Sequence, residues 1–247
     1  MARQHLGQHF LIKGSILERI AKAACPDAAP LVVEIGPGKG ALTAHLLPRA
    51  ARLIAIELDD ALGAHLQEKY RGDSRVEIVA GDATRIDLAQ WGPAVIAGNL
   101  PYYAATAIME RVWRMPQVSR AVFLVQKEVA ERLAAAPGCR DYGALSVEAQ
   151  LFARVELLFG VRPSAFQPPP KVESSVVRLT PHPPEVGDPE AFLQFVRLAF
   201  HQKRKTLRNN LAVRFPRTVI DALPEAGLRA EQLPLLQFAQ LYRRLVP

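Results

Sequence analysis

The stretch of sequence that decides the fold is LVVEIGPGKG, residues 31–40. Its first five residues are apolar except for Glu34, as in a strand that is covered on both faces. Three glycines alternate in the next five residues, and a helical pattern begins at Ala41. Glycines at that point allow a tight turn and a close approach of the backbone to a ligand. A strand, a glycine loop and a helix in this order predict a nucleotide-binding α/β sheet.

The same alternation continues along the chain. Further apolar runs occupy residues 53–56, 76–80, 94–97 and 121–125. Helical patterns occupy residues 41–47, 60–70, 86–91, 104–114 and 127–136. Such alternation implies right-handed crossovers and a parallel, doubly wound sheet. Two later runs, 153–159 and 174–179, predict an antiparallel edge hairpin, because the proline-rich residues 162–171 between them can form neither a helix nor a central strand.

A second proline-rich stretch predicts a domain boundary. The linker contains Pro181, Pro183, Pro184 and Gly187. We therefore expect a Rossmann-like domain over residues 1–184 and a small all-helical domain over residues 185–247. The helical domain begins with Asp188, Pro189 and Glu190, which match an N-cap, a first-position proline and a first-turn acid. Prolines then break its pattern into short helices at residues 216, 224 and 234.

The composition is that of a soluble globular protein, with 247 residues, 49% hydrophobic and 22% charged. No apolar run approaches the length of a membrane span, and the first ten residues lack the apolar core of a signal peptide. Cys25 and Cys139 are the only cysteines, which favours a reducing, cytoplasmic compartment. His5 and His9 lie four residues apart without a carboxylate or cysteine beside them, so we expect no metal site.

The net charge of +7 suggests an anionic partner. Residues 191–220 contain seven arginines and lysines and no acidic residue. This pattern favours a surface that contacts nucleic-acid phosphates, although a merely solvated helical face is the alternative. The candidate contacts are Arg197, Lys203, Arg204, Lys205 and Arg208.

Four further features concern a cofactor. Gly36 and Gly38 form the turn after the first long strand, and Glu57 ends the next strand, where its carboxylate can accept bonds from ribose hydroxyls. The glycine turn and Glu57 also fit a dinucleotide-binding site. Glu34 is placed to serve the positive amino-acid end of S-adenosylmethionine, and Asp82 to accept a bond from the adenine amine. Asp82 has the alternative of a helix N-cap.

The tetrapeptide NLPY, residues 99–102, follows the fourth long strand. Acceptors on the Asn99 side chain and the Leu100 carbonyl can hold an exocyclic amine and free its lone pair for attack on a methyl group, with no strong base. Pro101 makes the turn rigid, and Tyr102 offers a face on which a base can stack, after that base leaves any helical stack. A plain turn before a helix is the alternative.

Two aromatic segments lie outside these loops. Residues 8–11, QHFL, either fold over the cofactor or pack as an N-terminal tail. Phe166, before the proline run, either stacks on the other face of the target base or anchors the core.

These motifs resemble those of the ribosomal RNA adenine dimethyltransferase family, from Gln8 to the C-terminal residues 242–245. The resemblance rests on GQHFL, VEIGPG, NLPY, QKEVAER, DYG, FxPxPKVxS and FHQKRKTL. It is nearest to the branch that modifies small-subunit (16S) rRNA. It implies that two adjacent adenosines near the 3′ end each receive two N6-methyl groups within a 30S assembly intermediate.

The resemblance also implies cofactor contacts at His9, Leu11, Gly36, Glu57, Asp82 and Asn99. The family usually has Asn where this chain has His9. A contact through the backbone would survive that change, whereas a side-chain contact would not.

Three other functions fit parts of the sequence. One is the antibiotic-resistance branch, which dimethylates an adenosine of large-subunit rRNA. Another is a non-catalytic assembly or transcription factor on the same fold, and the third is an NAD-dependent dehydrogenase. We expect the rRNA adenine dimethyltransferase to be a cytoplasmic monomer that uses S-adenosylmethionine, with no metal and no membrane partner.

Overall fold

A computed structural model describes residues 9–246. The strands are β1 (Phe10–Leu11), β2 (Ala29–Ile35), β3 (Ala50–Glu57), β4 (Val76–Ala80), β5 (Ala94–Asn99), β6 (Val118–Gln126), β7 (Ala153–Val161), β8 (Phe166–Gln167) and β9 (Ser174–Pro181). Seven of them form one sheet in the order β4-β3-β2-β5-β6-β9-β7. The first five in this order are parallel, and β9 pairs antiparallel with both β6 and β7. The predicted doubly wound α/β class and its antiparallel edge are confirmed.

The order of the strands determines where a ligand can bind. The chain runs from β2 outward to β3 and β4, and then returns to the other side of β2 through β5 and β6. In a sheet of this kind, ligands bind beyond the carboxyl ends of the strands where the order reverses. Those ends are Ile35, Glu57, Ala80 and Asn99.

The helices after β2, β3, β5 and β6 have bounds close to those that the periodicity predicts. The helices of the described residues are α1 (Gly14–Ala24), α2 (Thr43–Leu46), α3 (Asp60–Lys69), α4 (Ala105–Trp113), α5 (Lys127–Ala134), α6 (Ala144–Phe152), α7 (Pro189–Ala199), α8 (Leu207–Leu211), α9 (Arg217–Asp221) and α10 (Leu235–Leu245). The predicted segment near residues 86–91 is a short 3-10 turn at Leu88–Trp91. Another 3-10 turn, Pro163–Ala165, begins the proline run, and β8 follows it.

The chain divides into two compact units. One runs to Ala130 and includes Ala153–His182, and the other comprises Glu131–Phe152 and the segment from Pro183 onward. The chain enters the second unit for the second time at Pro183, which lies beside the predicted boundary between residues 184 and 185. The segment Glu131–Phe152 belongs to the second unit, whereas the sequence predicts that it is part of the first domain. Its helix α6 is buried on nearly all sides, so it carries no amphipathic pattern to reveal which core it joins.

The second unit is helical around an aromatic core. Asp188 accepts a hydrogen bond from the backbone N–H of Ala191, with Pro189 in the first turn, as the capping pattern predicts. Phe192 and Phe238 are completely buried. Tyr142 is also completely buried, and its hydroxyl donates to the carbonyl of Leu233 at 2.9 Å. Aromatic burial of this kind gives a small unit a core of its own.

Candidate active site

A pocket of about 380 Å³ lies at the carboxyl ends of β2, β3, β4 and β5. It belongs entirely to the first unit. The eight residues predicted to contact the cofactor all line it: His9, Leu11, Glu34, Gly36, Gly38, Glu57, Asp82 and Asn99. The rest of the tetrapeptide, Leu100, Pro101 and Tyr102, lines it as well. Residues distant in sequence therefore meet in one cavity.

Two glycines in or beside this pocket leave no room for a side chain. Gly38 has a φ of +59°, and a Cβ there would lie 3.0 Å from the ring of Phe10. Gly98, next to the tetrapeptide, approaches β2 so closely that a Cβ would lie 2.4 Å from the carbonyl oxygen of Ile35. A left-handed turn and a close backbone approach both exclude side chains. At Gly38 the backbone itself therefore borders the cavity, and at Gly98 strands β5 and β2 approach without a side chain between them.

Glu57 holds the glycine turn in place. One carboxylate oxygen accepts the backbone N–H of Gly38 at 2.9 Å, and the other accepts that of Asp59 at 3.0 Å. The residue is 6% exposed and lines the pocket. Because each carboxylate oxygen has two lone pairs, both retain capacity for a ligand hydroxyl. The sequence predicts a binding role for Glu57, whereas its bond to Gly38 is visible only in the structure.

Glu34 lies almost fully buried beneath the loop, at 1% exposure, and its Oε2 has no hydrogen-bond partner among the described residues. Burial raises the pKa of Glu34 to about 8, although neighbouring Thr43 opposes the shift. Burial alone thus favours the protonated form of this carboxyl. A cation in the pocket would favour the ionised form.

Asp82 belongs to the loop after β4. Its Oδ1 accepts bonds from the backbone N–H and the hydroxyl of Thr84, at 2.8 and 2.7 Å. These bonds from Thr84 are the main reason that the pKa of Asp82 is lowered. Asp82 thus closes a turn at residues 83–85, where no helix begins, and it also lines the pocket.

The tetrapeptide is held by bonds from three directions. The amide nitrogen of Asn99 donates to the carbonyl of His9 at 3.0 Å, which leaves Oδ1 as the end of the amide free to accept. The backbone N–H of Leu100 donates to the carbonyl of Leu124. The hydroxyl of Tyr102 lies 3.0 Å from that of Ser174. The acceptor and the aromatic face are therefore held in place by the protein's own hydrogen bonds.

His9 contributes to this arrangement in two ways. Its backbone carbonyl accepts the Asn99 bond, which any residue at this position could do. Its Nδ1 lies 2.8 Å from the carbonyl of Pro168, and its ring centroid lies 5.8 Å from that of Tyr102. The contact with Asn99 is therefore independent of the change from Asn to His.

Phe166 does not line this pocket. It is 4% exposed, pairs with Leu11 in the small β1–β8 sheet and joins the hydrophobic core. The core-anchor alternative describes this position, and stacking of Phe166 on the target base stays a prediction. Conversely, Leu58 and Tyr103 line the pocket and are partly exposed, and no motif in the sequence singles them out. Their positions directly after Glu57 and Tyr102 are the only signal in the sequence.

The basic candidates belong to the second unit and fall into two groups. Arg197 pairs with Glu148 at 3.0 Å, and Arg208 pairs with Asp221 at 2.9 Å. Since Glu148 is 6% exposed, the first of these pairs satisfies a buried carboxylate. The three consecutive residues Lys203, Arg204 and Lys205 are exposed, and Lys203 donates to the carbonyl of Arg140. The structure thus separates the five candidates for phosphate contact into two that form ion pairs and three that are consecutive and exposed.

Within residues 9–246, no helix is long and apolar enough to cross a bilayer. The same residues contain no group of three or more metal-ligating side chains.

The model of one protein family, described as ribosomal RNA adenine dimethylase, matches residues 1–245. The chain belongs to this family. It is therefore a methyltransferase that dimethylates adenine in ribosomal RNA. A relative from Acidobacterium capsulatum, named ribosomal RNA small subunit methyltransferase A, is 46% identical over 97% of this chain and 90% of its own length. The protein of the same name from Pseudomonas aeruginosa is 44% identical over 99% of this chain and 94% of its own.

Two solved structures share the family's architecture. A dimethyladenosine transferase from Plasmodium falciparum has a TM-score of 0.79 and 26% identity, covering 96% of this chain and 98% of its own. The 23S rRNA methyltransferase ErmE has a TM-score of 0.77 and 27% identity, covering 96% of this chain and 100% of its own. The similarity in both cases extends over nearly the whole chain.

Proposed function

We propose that this methyltransferase takes methyl groups from S-adenosylmethionine and places two on N6 of each of two adjacent adenosines near the 3′ end of small-subunit rRNA, within a 30S assembly intermediate. The relatives named for the small subunit, at 44% and 46% identity, support this target. The single observation that carries the chemistry is the fixed amide of Asn99, which presents its oxygen from the wall of the pocket.

The residues of the pocket fit S-adenosylmethionine. Glu34 offers an unpartnered buried carboxyl oxygen for a cationic amino-acid end, and Glu57 has lone pairs to spare for ribose hydroxyls. Asp82, with its lowered pKa, offers an ionised acceptor for an adenine amine. When bound, the cofactor supplies a methyl group on a positively charged sulfur.

The tetrapeptide binds and orients the target amine. An adenine N6 is a weak nucleophile because its lone pair is conjugated with the ring. Asn99 Oδ1 and the carbonyl of Leu100 accept its N–H bonds and favour a tetrahedral nitrogen whose lone pair is exposed. Tyr102, whose hydroxyl is hydrogen-bonded to that of Ser174, stacks on the base, and this stacking contributes roughly 1–3 kcal/mol of binding free energy. Positioning and hydrogen bonding thus replace a strong base.

RNA affinity comes mainly from the second unit. Lys203, Arg204 and Lys205 are exposed, consecutive and carry three positive charges. Contacts with phosphates release condensed counterions, so such a segment gives strong and salt-sensitive binding. We propose that these residues contact rRNA, that Arg197 and Arg208 chiefly support the unit through their ion pairs, and that the enzyme is a cytoplasmic monomer.

A second candidate is dimethylation of large-subunit rRNA. It is favoured by the likeness to ErmE, a 23S rRNA methyltransferase, over nearly the whole chain. The identity of 27% to ErmE is far below the 46% to the A. capsulatum protein, so the small subunit remains our proposal.

Methyl transfer to purified ribosomal subunits tests the proposal. The protein would be incubated with tritiated S-adenosylmethionine and either 30S subunits that lack the modification or 50S subunits, and the labelled nucleotides would be mapped. We expect four methyl groups per 30S subunit, on two adjacent adenosines. Label confined to 50S subunits would support the second candidate, and label in neither would reject both.

A further inference from the structure

Helix α4 (Ala105–Trp113), which follows the tetrapeptide, carries an arginine that bonds to the loop after β4, next to the residues of that loop that line the pocket. Arg111 donates from Nη1 to the carbonyl of Thr84 at 2.8 Å and from Nη2 to the carbonyl of Ile86 at 2.6 Å. Both carbonyls belong to the loop after β4. The planar guanidinium is suited to such a two-pronged contact, which a lysine cannot reproduce.

That loop also carries Asp82, and its geometry depends on the two residues that Arg111 holds. The N–H and hydroxyl of Thr84 donate to Asp82 Oδ1. Ile86 packs on Gly81 so closely that a Cβ on Gly81 would lie 2.6 Å from Ile86 Cδ1. Fixing the carbonyls of Thr84 and Ile86 therefore fixes the residues on both sides of the Asp82 carboxylate.

We propose that Arg111 is a positioning residue, which holds the Asp82 loop against α4 so that the carboxylate meets the exocyclic amine of the cofactor's adenine. The inference rests on the proposed use of S-adenosylmethionine. Arg111 itself does not line the pocket, so it acts through Asp82.

The electrostatics agree with this geometry. After the bonds from Thr84, the positive charges of Arg85 and Arg111 also lower the pKa of Asp82. The Arg85 side chain is 87% exposed and lies 3.7 Å from Asp82, so solvent screens its charge. Arg111 is half-buried and bonded to the backbone. Arg85 therefore provides a matched control that removes one charge without removing the bonds to the loop.

The test measures how well the protein recognises the adenine amine. Affinities for 5′-methylthioadenosine and for 5′-methylthioinosine, which lacks that amine, would be measured by calorimetry in the full-length protein. The variants would be Arg111→Gln, Arg111→Lys and Arg85→Gln. We expect Arg111→Gln to reduce the preference for the adenosine compound about tenfold, with Arg111→Lys intermediate and Arg85→Gln unchanged. The KM for S-adenosylmethionine should rise about tenfold in Arg111→Gln, with kcat within about twofold of wild type.

Each outcome has a distinct meaning. An unchanged preference in folded Arg111→Gln, or an equal loss of affinity for both compounds, would overturn the positioning role. If Arg111→Gln does not fold, Arg111→Lys is judged by the same criteria. Failure of the wild type to bind S-adenosylhomocysteine would instead refute the proposed cofactor. If Asp82→Ala lost the preference for the adenosine compound while Arg111→Gln kept it, the positioning role alone would be refuted.

Discussion

The pocket of the first unit and the basic segment of the second, Lys203–Lys205, are constructed in opposite ways. In the pocket, Asn99, Glu57 and Asp82 are each fixed by bonds to the backbone before a ligand binds. In the basic segment the three side chains are exposed. Preorganised groups suit chemistry that needs one geometry, and exposed charges suit a long polyanion. The comparison predicts that damage to the pocket lowers the rate, and damage to the basic segment lowers affinity.

The largest expected effect is at Asn99. Asn99→Ala removes the acceptor for the target amine, and we expect the single-turnover rate of methylation to fall by about 10²–10³-fold, as for loss of one preorganised hydrogen-bonding group. Binding to 30S subunits, measured by filter retention, should remain within about twofold, since RNA affinity is assigned to the second unit. Asn209→Ala, at an exposed amide of α8, is the control and should keep the wild-type rate. A wild-type rate in Asn99→Ala would refute the base pocket.

Much of this pocket could be predicted from the sequence, because its motifs are local. The glycine loop, Glu57, Asp82 and the tetrapeptide each follow a strand, and parallel strands bring their carboxyl ends together. Hydrogen bonds between these motifs could not be predicted. The links from Glu57 to Gly38 and from Asn99 to His9 join residues 19 and 90 positions apart. Such pairs depend on which distant segments the fold brings side by side, which a single sequence does not state.

The second unit was harder to predict for a related reason. Its capping residues are local and were predicted correctly, as Asp188 illustrates. The membership of α6 and the ion pair of Arg197 with Glu148 depend on packing between segments 49 residues apart. A charged side chain looks the same in sequence whether it faces solvent or neutralises a buried carboxylate.

The next largest effect concerns Glu57. Glu57→Ala should weaken S-adenosylmethionine binding by about 1.5–3 kcal/mol, the range for a lost bond to a charged group. Glu57→Gln keeps one oxygen and should lose less. Calorimetric titration measures both, and thermal unfolding checks that the Gly38 turn survives. Unaltered cofactor affinity in a folded Glu57→Ala protein would refute the ribose contact.

A smaller effect is expected from the buried carboxyl of Glu34. Its pKa is raised from 4.5 to about 8 by burial, so between these values the folded state binds more protons than the unfolded state. Stability contributed by this group is therefore present at low pH and is lost as the pH rises towards 8. We expect the free energy of unfolding to fall by about 1–2 kcal/mol between pH 6 and 7.5.

Urea unfolding at several pH values measures this loss. Glu34→Gln keeps the shape of the side chain and cannot ionise, so its stability should change less over the same range. The neighbouring charges of Glu57 and Lys69 remain in both proteins. Identical pH profiles for wild type and Glu34→Gln would show that Glu34 does not carry the dependence.

The smallest expected effect is in the basic segment. Replacement of Lys203, Arg204 and Lys205 by Gln should weaken 30S binding about tenfold at physiological salt and flatten its salt dependence. The matched control replaces three exposed arginines of the first unit, Arg52, Arg71 and Arg75, by Gln. Equal affinities and parallel salt slopes for wild type and the first variant would show that the segment is a solvated surface.

One measurement tests most directly whether the pocket determines the rate of methylation and the basic segment determines the affinity for 30S subunits. Single-turnover methylation would be measured for Asn99→Ala and for the Lys203, Arg204 and Lys205 triple variant while the concentration of 30S subunits is raised at low salt. We predict that the triple variant reaches nearly the wild-type maximal rate at saturation, and that Asn99→Ala remains slow at every concentration. A rate that recovers with concentration in Asn99→Ala, or a triple variant that stays slow at saturation, would contradict the account.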